Sequence, residues 1–128
     1  MARILIVDDD EDLLLLIGEH LESAGLEYDL ALGAEQARNF LKRFEYDMVF
    51  SDFNMPGESG LDFFSFVSSM YPDTRFILMT GCDDLRIKRE SMRMGADAYF
   101  EKPFYLNELW QTIINLMRRG DQMEVPAA

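Results

Sequence analysis

ILIVDDDEDLLLL, residues 4–16, runs four branched apolar residues into five consecutive acids and then into four leucines. The first four have the composition of a strand buried on both faces, and the leucines open a helical period. Between them lies an electrostatic problem. Two carboxylates held roughly 4 to 5 Å apart repel by about 3 to 4 kcal/mol in a medium of effective dielectric about 20. A fold that gathers Asp8 and Asp9 with further acids needs a compensating cation, proton or dipole.

Outward from this stretch the same alternation recurs. YDLAL at 28–32, MVFS at 48–51, FILMT at 76–80 and AYF at 98–100 read as further short strands. Amphipathic segments at 10–24, 34–44, 60–70, 84–94 and 105–118 read as helices between and after them. Five short buried strands alternating with helices predict a parallel sheet covered on both faces.

Composition narrows the function. The chain has 128 residues, with 12 Lys plus Arg against 24 Asp plus Glu, for a net charge of -12. That length suits one core, so a single domain over residues 1–119 is expected, with the aperiodic GDQMEVPAA at 120–128 as a tail or the start of a linker. The acidic balance opposes nucleic acid and anionic membranes and favours proteins or cations as partners. Cys82 stands alone, no basic segment precedes a long apolar run, and no run is long enough to span a bilayer, so a cytoplasmic protein is expected.

Placed on this frame, the polar residues converge. Asp8 and Asp9 end the first strand, Asp52 the third and Thr80 the fourth, while Lys102 follows the fifth by two residues. The carboxyl ends of parallel strands meet in the crevice where such sheets bind ligands. Three acids there, with no His or Cys cluster, suit a hard divalent cation held by oxygen.

IVDDD at 6–10, SDFNMPGESGLD at 51–62, MTG at 79–81 and GADAYFEKPF at 95–104, in this order and spacing, resemble the receiver domain of two-component response regulators. The resemblance covers about residues 2–119. It implies an α/β fold, the flavodoxin-like (βα)5 doubly wound parallel sheet with strand order 2-1-3-4-5. It further implies that Asp52 is the phosphoacceptor, and that Mg2+, or Mn2+ in its place, is held by Asp9 and Asp52 directly, by Asp8 through water and by the backbone carbonyl of Asn54. Lys102 and Thr80 would contact phosphoryl oxygens, Tyr99 would turn inward on activation, and a cis Lys102–Pro103 peptide would aim the ammonium at the pocket.

The same resemblance implies a histidine kinase or histidine phosphotransfer protein as phosphoryl donor, and it gives the chain a signalling role rather than that of an enzyme. In this family the first helix commonly receives the helical domain bearing the phosphohistidine. Leu15 lies opposite the stripe of Leu13, Ile17 and Leu21 with Leu14 at its flank, so Leu14 and Leu15 are the expected docking contacts. The output is expected on the surface of residues 84–94, 97–101 and 105–118, where Arg86, Lys88, Arg89 and Arg93 suit an acidic or self-complementary partner. A monomer or a phosphorylation-dependent dimer is expected. Ala98 stands where winged-helix DNA-binding members usually carry a second acid of their dimer face, which weighs against that particular dimer.

Other readings weigh against these. Asp10 and Asp12 suit the cap and dipole of the first helix, and His20 reads as a hydrogen-bonded packing residue. Trp110 sits at the edge of the last helix's apolar stripe, as core or interface. A haloacid-dehalogenase-type phosphatase would place an acid two residues after its nucleophile, where this chain has Asn54. A flavodoxin-like FMN carrier would need a Ser/Thr-rich loop after the first strand, where this chain has acids. The alternative function is an unphosphorylated receiver-like interaction module, although such proteins usually lack one of the acids or the lysine.

Overall fold

Each apolar run becomes a strand of one sheet in a computed structural model that describes residues 3–55, 57–81 and 85–119, the side chain of Arg119 excepted. Cys82, residue 84 at the expected start of the fourth helix and the expected tail at 120–128 lie outside the described residues. The strands are β1 (Arg3–Val7), β2 (Glu27–Ala31), β3 (Met48–Asp52), β4 (Arg75–Thr80) and β5 (Ala98–Glu101). Helices α1 (Glu11–Ser23), α2 (Ala34–Arg43), α3 (Gly60–Met70), α4 (Leu85–Arg93) and α5 (Leu106–Arg119) alternate with them. All neighbouring strands are parallel, in the order β2-β1-β3-β4-β5, which is the doubly wound arrangement expected.

The period of two along each strand divides the core between the faces. Ile4 and Ile6 of β1 point to the side covered by α1 and α5, where they meet Ile17, Leu21, Phe50, Met79 and Ile113. Leu5 and Val7 point to the other side and meet Ala37, Val49, Phe63, Val67 and Leu78. Register then levels the carboxyl ends: Val7 pairs with Ala31 and Ser51, Asp52 with Met79, and Thr80 with Glu101.

On α1 the buried face differs from the expected one. Leu14, Ile17, Gly18 and Leu21 are buried, and Leu13 is only partly so. Leu14, expected on the outer flank, is 2% exposed, whereas Leu15 and Leu16 are 53% and 50% exposed. The reason is Gly18, where an added Cβ would lie 2.8 Å from the Tyr28 ring. Lacking a side chain, this position approaches β2 and centres the buried face on itself. His20 is half-buried and its Nε2 has no hydrogen-bond partner among the described residues.

Between β3 and α3 lies a hairpin that no sequence period announces, Asn54–Met55 paired antiparallel with Glu58–Ser59. It ends at Gly60, where an added Cβ would lie 2.5 Å from Phe53 Cα and 2.6 Å from the Asp52 carbonyl oxygen, so only glycine fits. At the other end of the sheet Arg3 ties strands together. Its backbone N–H donates to Asp47, and its guanidinium pairs with Asp29 at 3.1 Å and Glu27 at 3.2 Å and lies over the Phe44 ring. The Tyr46 hydroxyl donates to Asp29 at 2.6 Å.

Candidate functional site

β1 delivers its last apolar residue, Val7, into the core and turns at Asp8, whose N–H donates to the Ala31 carbonyl at 3.0 Å. Asp8 is thereby fully buried, Asp9 stays exposed, and Asp10 caps α1 by accepting from Leu13 N–H at 3.2 Å. Glu11 and Asp12 fill the first turn, where the helix dipole favours acids. β3 brings Asp52 to the same end, 4% exposed. Carboxylate oxygens of Asp8, Asp9 and Asp52 all lie within 4.8 Å of one another.

Lys102 is the local cation. Its Nζ donates to Asp8 Oδ2 at 2.6 Å and stands 3.4 Å from Asp52 Oδ1, an ion pair too long for a good hydrogen bond. Its N–H donates to the Thr80 carbonyl at 2.7 Å, which seats it beside β4, and the Lys102–Pro103 peptide is cis. Thr80 is fully buried. Tyr99 is half-buried against the core on the side to which Leu5, Val7 and Leu78 point, with its hydroxyl oxygen inside.

One ammonium does not balance three acids. Burial pushes the Asp52 carboxyl up and the charge of Asp8 pushes it further, against the lowering effects of Lys102 and the Asn54 backbone N–H. Burial draws the Lys102 ammonium down, and its bonds and charge contacts with Asp8 and Asp52 outweigh this, so the net shift is upward. Asp52 Oδ1 is buried with no hydrogen-bond partner among the described residues. A buried carboxylate oxygen without a donor, beside two further carboxylates, fits a divalent metal ion bound through oxygen.

The structure thus brings together Asp8, Asp9, Asp52, Thr80 and Lys102, with Asn54 exposed at the start of the hairpin and lining a cleft with Asp9. Leu14 is removed from the surface, while Leu15 stands out of α1 beside Leu16. Sequence reasoning passed over Arg38 and Glu58. Glu58 lines a cleft with Asp9 and Asn54, and Arg38 reaches it from α2. Twenty residues separate the two, and no pattern links them.

The family model for the response regulator receiver domain matches residues 4–114. The chain is 35% identical over 103 residues to response regulator protein FleR of Pseudomonas aeruginosa, covering 80% of this chain and 22% of that protein. It is 30% identical over 107 residues to sporulation initiation phosphotransferase F of Bacillus subtilis, covering 84% and 86%. The crystal structure of response regulator TrrA from Thermotoga maritima, in complex with Mg2+-BeF, superposes with a TM-score of 0.81 at 34% identity, covering 91% and 99%. The chain belongs to the response regulator receiver domain family of two-component systems. It spans about half the length, or less, of several curated relatives.

Proposed function

We propose that this receiver accepts a phosphoryl group on Asp52 from a histidine kinase or histidine phosphotransfer protein and relays the event to a downstream partner. The observation that carries the reading is the gathering of buried Asp52 with Asp8, Asp9 and Lys102 at the carboxyl ends of the sheet. A carboxylate oxygen of Asp52 bonds to phosphorus as the P–N bond of the partner's phosphohistidine breaks, and the electron pair returns to the imidazole. Lys102 holds one phosphoryl oxygen, and the Thr80 hydroxyl donates to another.

Asp8, Asp9, Asp52 and the Asn54 backbone carbonyl would hold Mg2+, or Mn2+ in its place. Bound there, the ion supplies the positive charge that offsets the acids and screens the incoming phosphoryl oxygens. Leu15 and Leu16, exposed on α1, offer the partner an apolar docking contact. The output surface is α4-β5-α5, where Leu85, Met92 and Tyr105 stand exposed among Arg86, Lys88 and Arg89.

Intact-mass analysis after treatment with acetyl phosphate and Mg2+ tests this. One added phosphoryl group is expected in the wild type and none in Asp52→Asn or in excess chelator. An added group that persists in Asp52→Asn overturns the assignment, and a wild type that takes none supports the unphosphorylated interaction module instead.

A further inference from the structure

The hairpin at 54–59 is too small to hold itself. Each of its strands has two residues, and isolated ribbons of far greater length are marginal in water. Its inner end is tied by the Gly60 N–H, which donates to the Phe53 carbonyl at 2.6 Å, and by Ser59, which caps α3. The outer end is tied from a different element. Arg38 of α2 donates through both terminal nitrogens to the two carboxylate oxygens of Glu58, each at 2.6 Å. The guanidinium carbon lies 4.6 Å from the Phe66 ring centroid and 5.8 Å from that of Phe63.

A solvated ion pair would fix little. This one is a planar fork on a planar carboxylate, stacked on aromatic faces, and its side chains are only 32% and 20% exposed. Both partners are thus held in orientation as well as in distance. Register carries the constraint inward, because Glu58 faces Met55 and the next rung pairs Ser59 with Asn54. Asn54 in turn stands two residues after Asp52 and lines the same cleft as Asp9 and Glu58.

We infer that Arg38 and Glu58 are positioning residues for the cation site, fixing the hairpin so that the Asn54 backbone is set against Asp52. The inference rests on the cation reading above. Neither residue touches the ion; each acts through the hairpin.

Mg2+ binding to the unphosphorylated chain, by calorimetry and by titration of the Asn54 amide resonance, tests it in Arg38→Met, Arg38→Lys and Glu58→Gln. Each is expected to weaken binding by about tenfold, the lower end of what outer partners of metal ligands contribute, and to shift the Asn54 amide before any metal is added. Simple long-range charge predicts otherwise. Losing a cation in Arg38→Met would tighten binding, and Arg38→Lys would be silent. Either of those results overturns the inference, as do affinities unchanged from wild type. Should Arg38→Met fail to unfold cooperatively in denaturant, Arg38→Lys and Glu58→Gln carry the same test. A wild type that binds no Mg2+ overturns the cation reading itself, whereas wild-type binding with unaffected variants overturns only the positioning role.

Discussion

Asp52 combines two demands that oppose each other. In the proposed role its carboxylate must be ionised to attack phosphorus, yet burial and the neighbouring Asp8 both favour its protonated form. Because its folded-state value is raised, the folded chain holds that proton more tightly than the unfolded chain does. Stability from this group is therefore complete below the ordinary carboxylate value of about 3.9 and is lost as pH rises through the raised one. Asp52→Asn is expected to unfold later than wild type in metal-free buffer at neutral pH, by on the order of 1 to 3 kcal/mol. Denaturant melts from neutral pH down to about 3.9 should show this advantage fading, since both side chains are then uncharged. Added Mg2+ should stabilise the wild type and leave the variant unmoved. The convergence of Asp8, Asp52, Thr80 and Lys102 was legible because each stands at or just past the end of an apolar run, and the parallel sheet aligns those ends. Arg38 and Glu58 were not, since their meeting depends on where α2 lies over the hairpin.

At the scale of elements, α1 shows how little a run of leucines decides. Four consecutive leucines supply an apolar residue at every angle of the wheel, so periodicity alone admits two neighbouring stripes. Gly18 selects between them by close approach to Tyr28, and a residue without a side chain leaves no mark in a hydrophobic pattern. The hairpin was missed for a related reason, as two-residue strands have no period to read. The outcome for α1 is a pair of exposed leucines on its outer face, flanked by exposed Glu11, Asp12 and Glu19. Leu15→Lys should slow phosphoryl transfer from the phosphohistidine partner by about tenfold, as loss of an apolar contact at an interface centre does, while labelling by acetyl phosphate stays at the wild-type rate. Quench-flow transfer assays compare the two, and equal transfer rates would count against docking on α1.

For the molecule as a whole, the proposed function asks that a local charge become a distant change of surface. A swing from 1:99 to 99:1 between two states requires differential stabilisation of about 5.5 kcal/mol, and Thr80 with Lys102 are placed to provide it. In Thr80→Ala the beryllofluoride adduct at Asp52 should still form, but the amide shifts it induces across α4, β5 and α5 should be largely lost. Shifts as large as in wild type would exclude Thr80 as the link. Burial is unequal across the sheet. At its amino end Arg3, Asp29, Tyr46 and Asp47 bind the chain around β1, β2 and β3 together. On the far side α4 buries only Ser91 among its residues, and β5 has no fully buried one. The molecule is in this respect a beam clad more heavily on one half than on the other. If Asp52 takes a phosphoryl group as proposed, a load at its midline would meet thick cladding on one side and thin cladding on the other, which favours movement of α4 and β5.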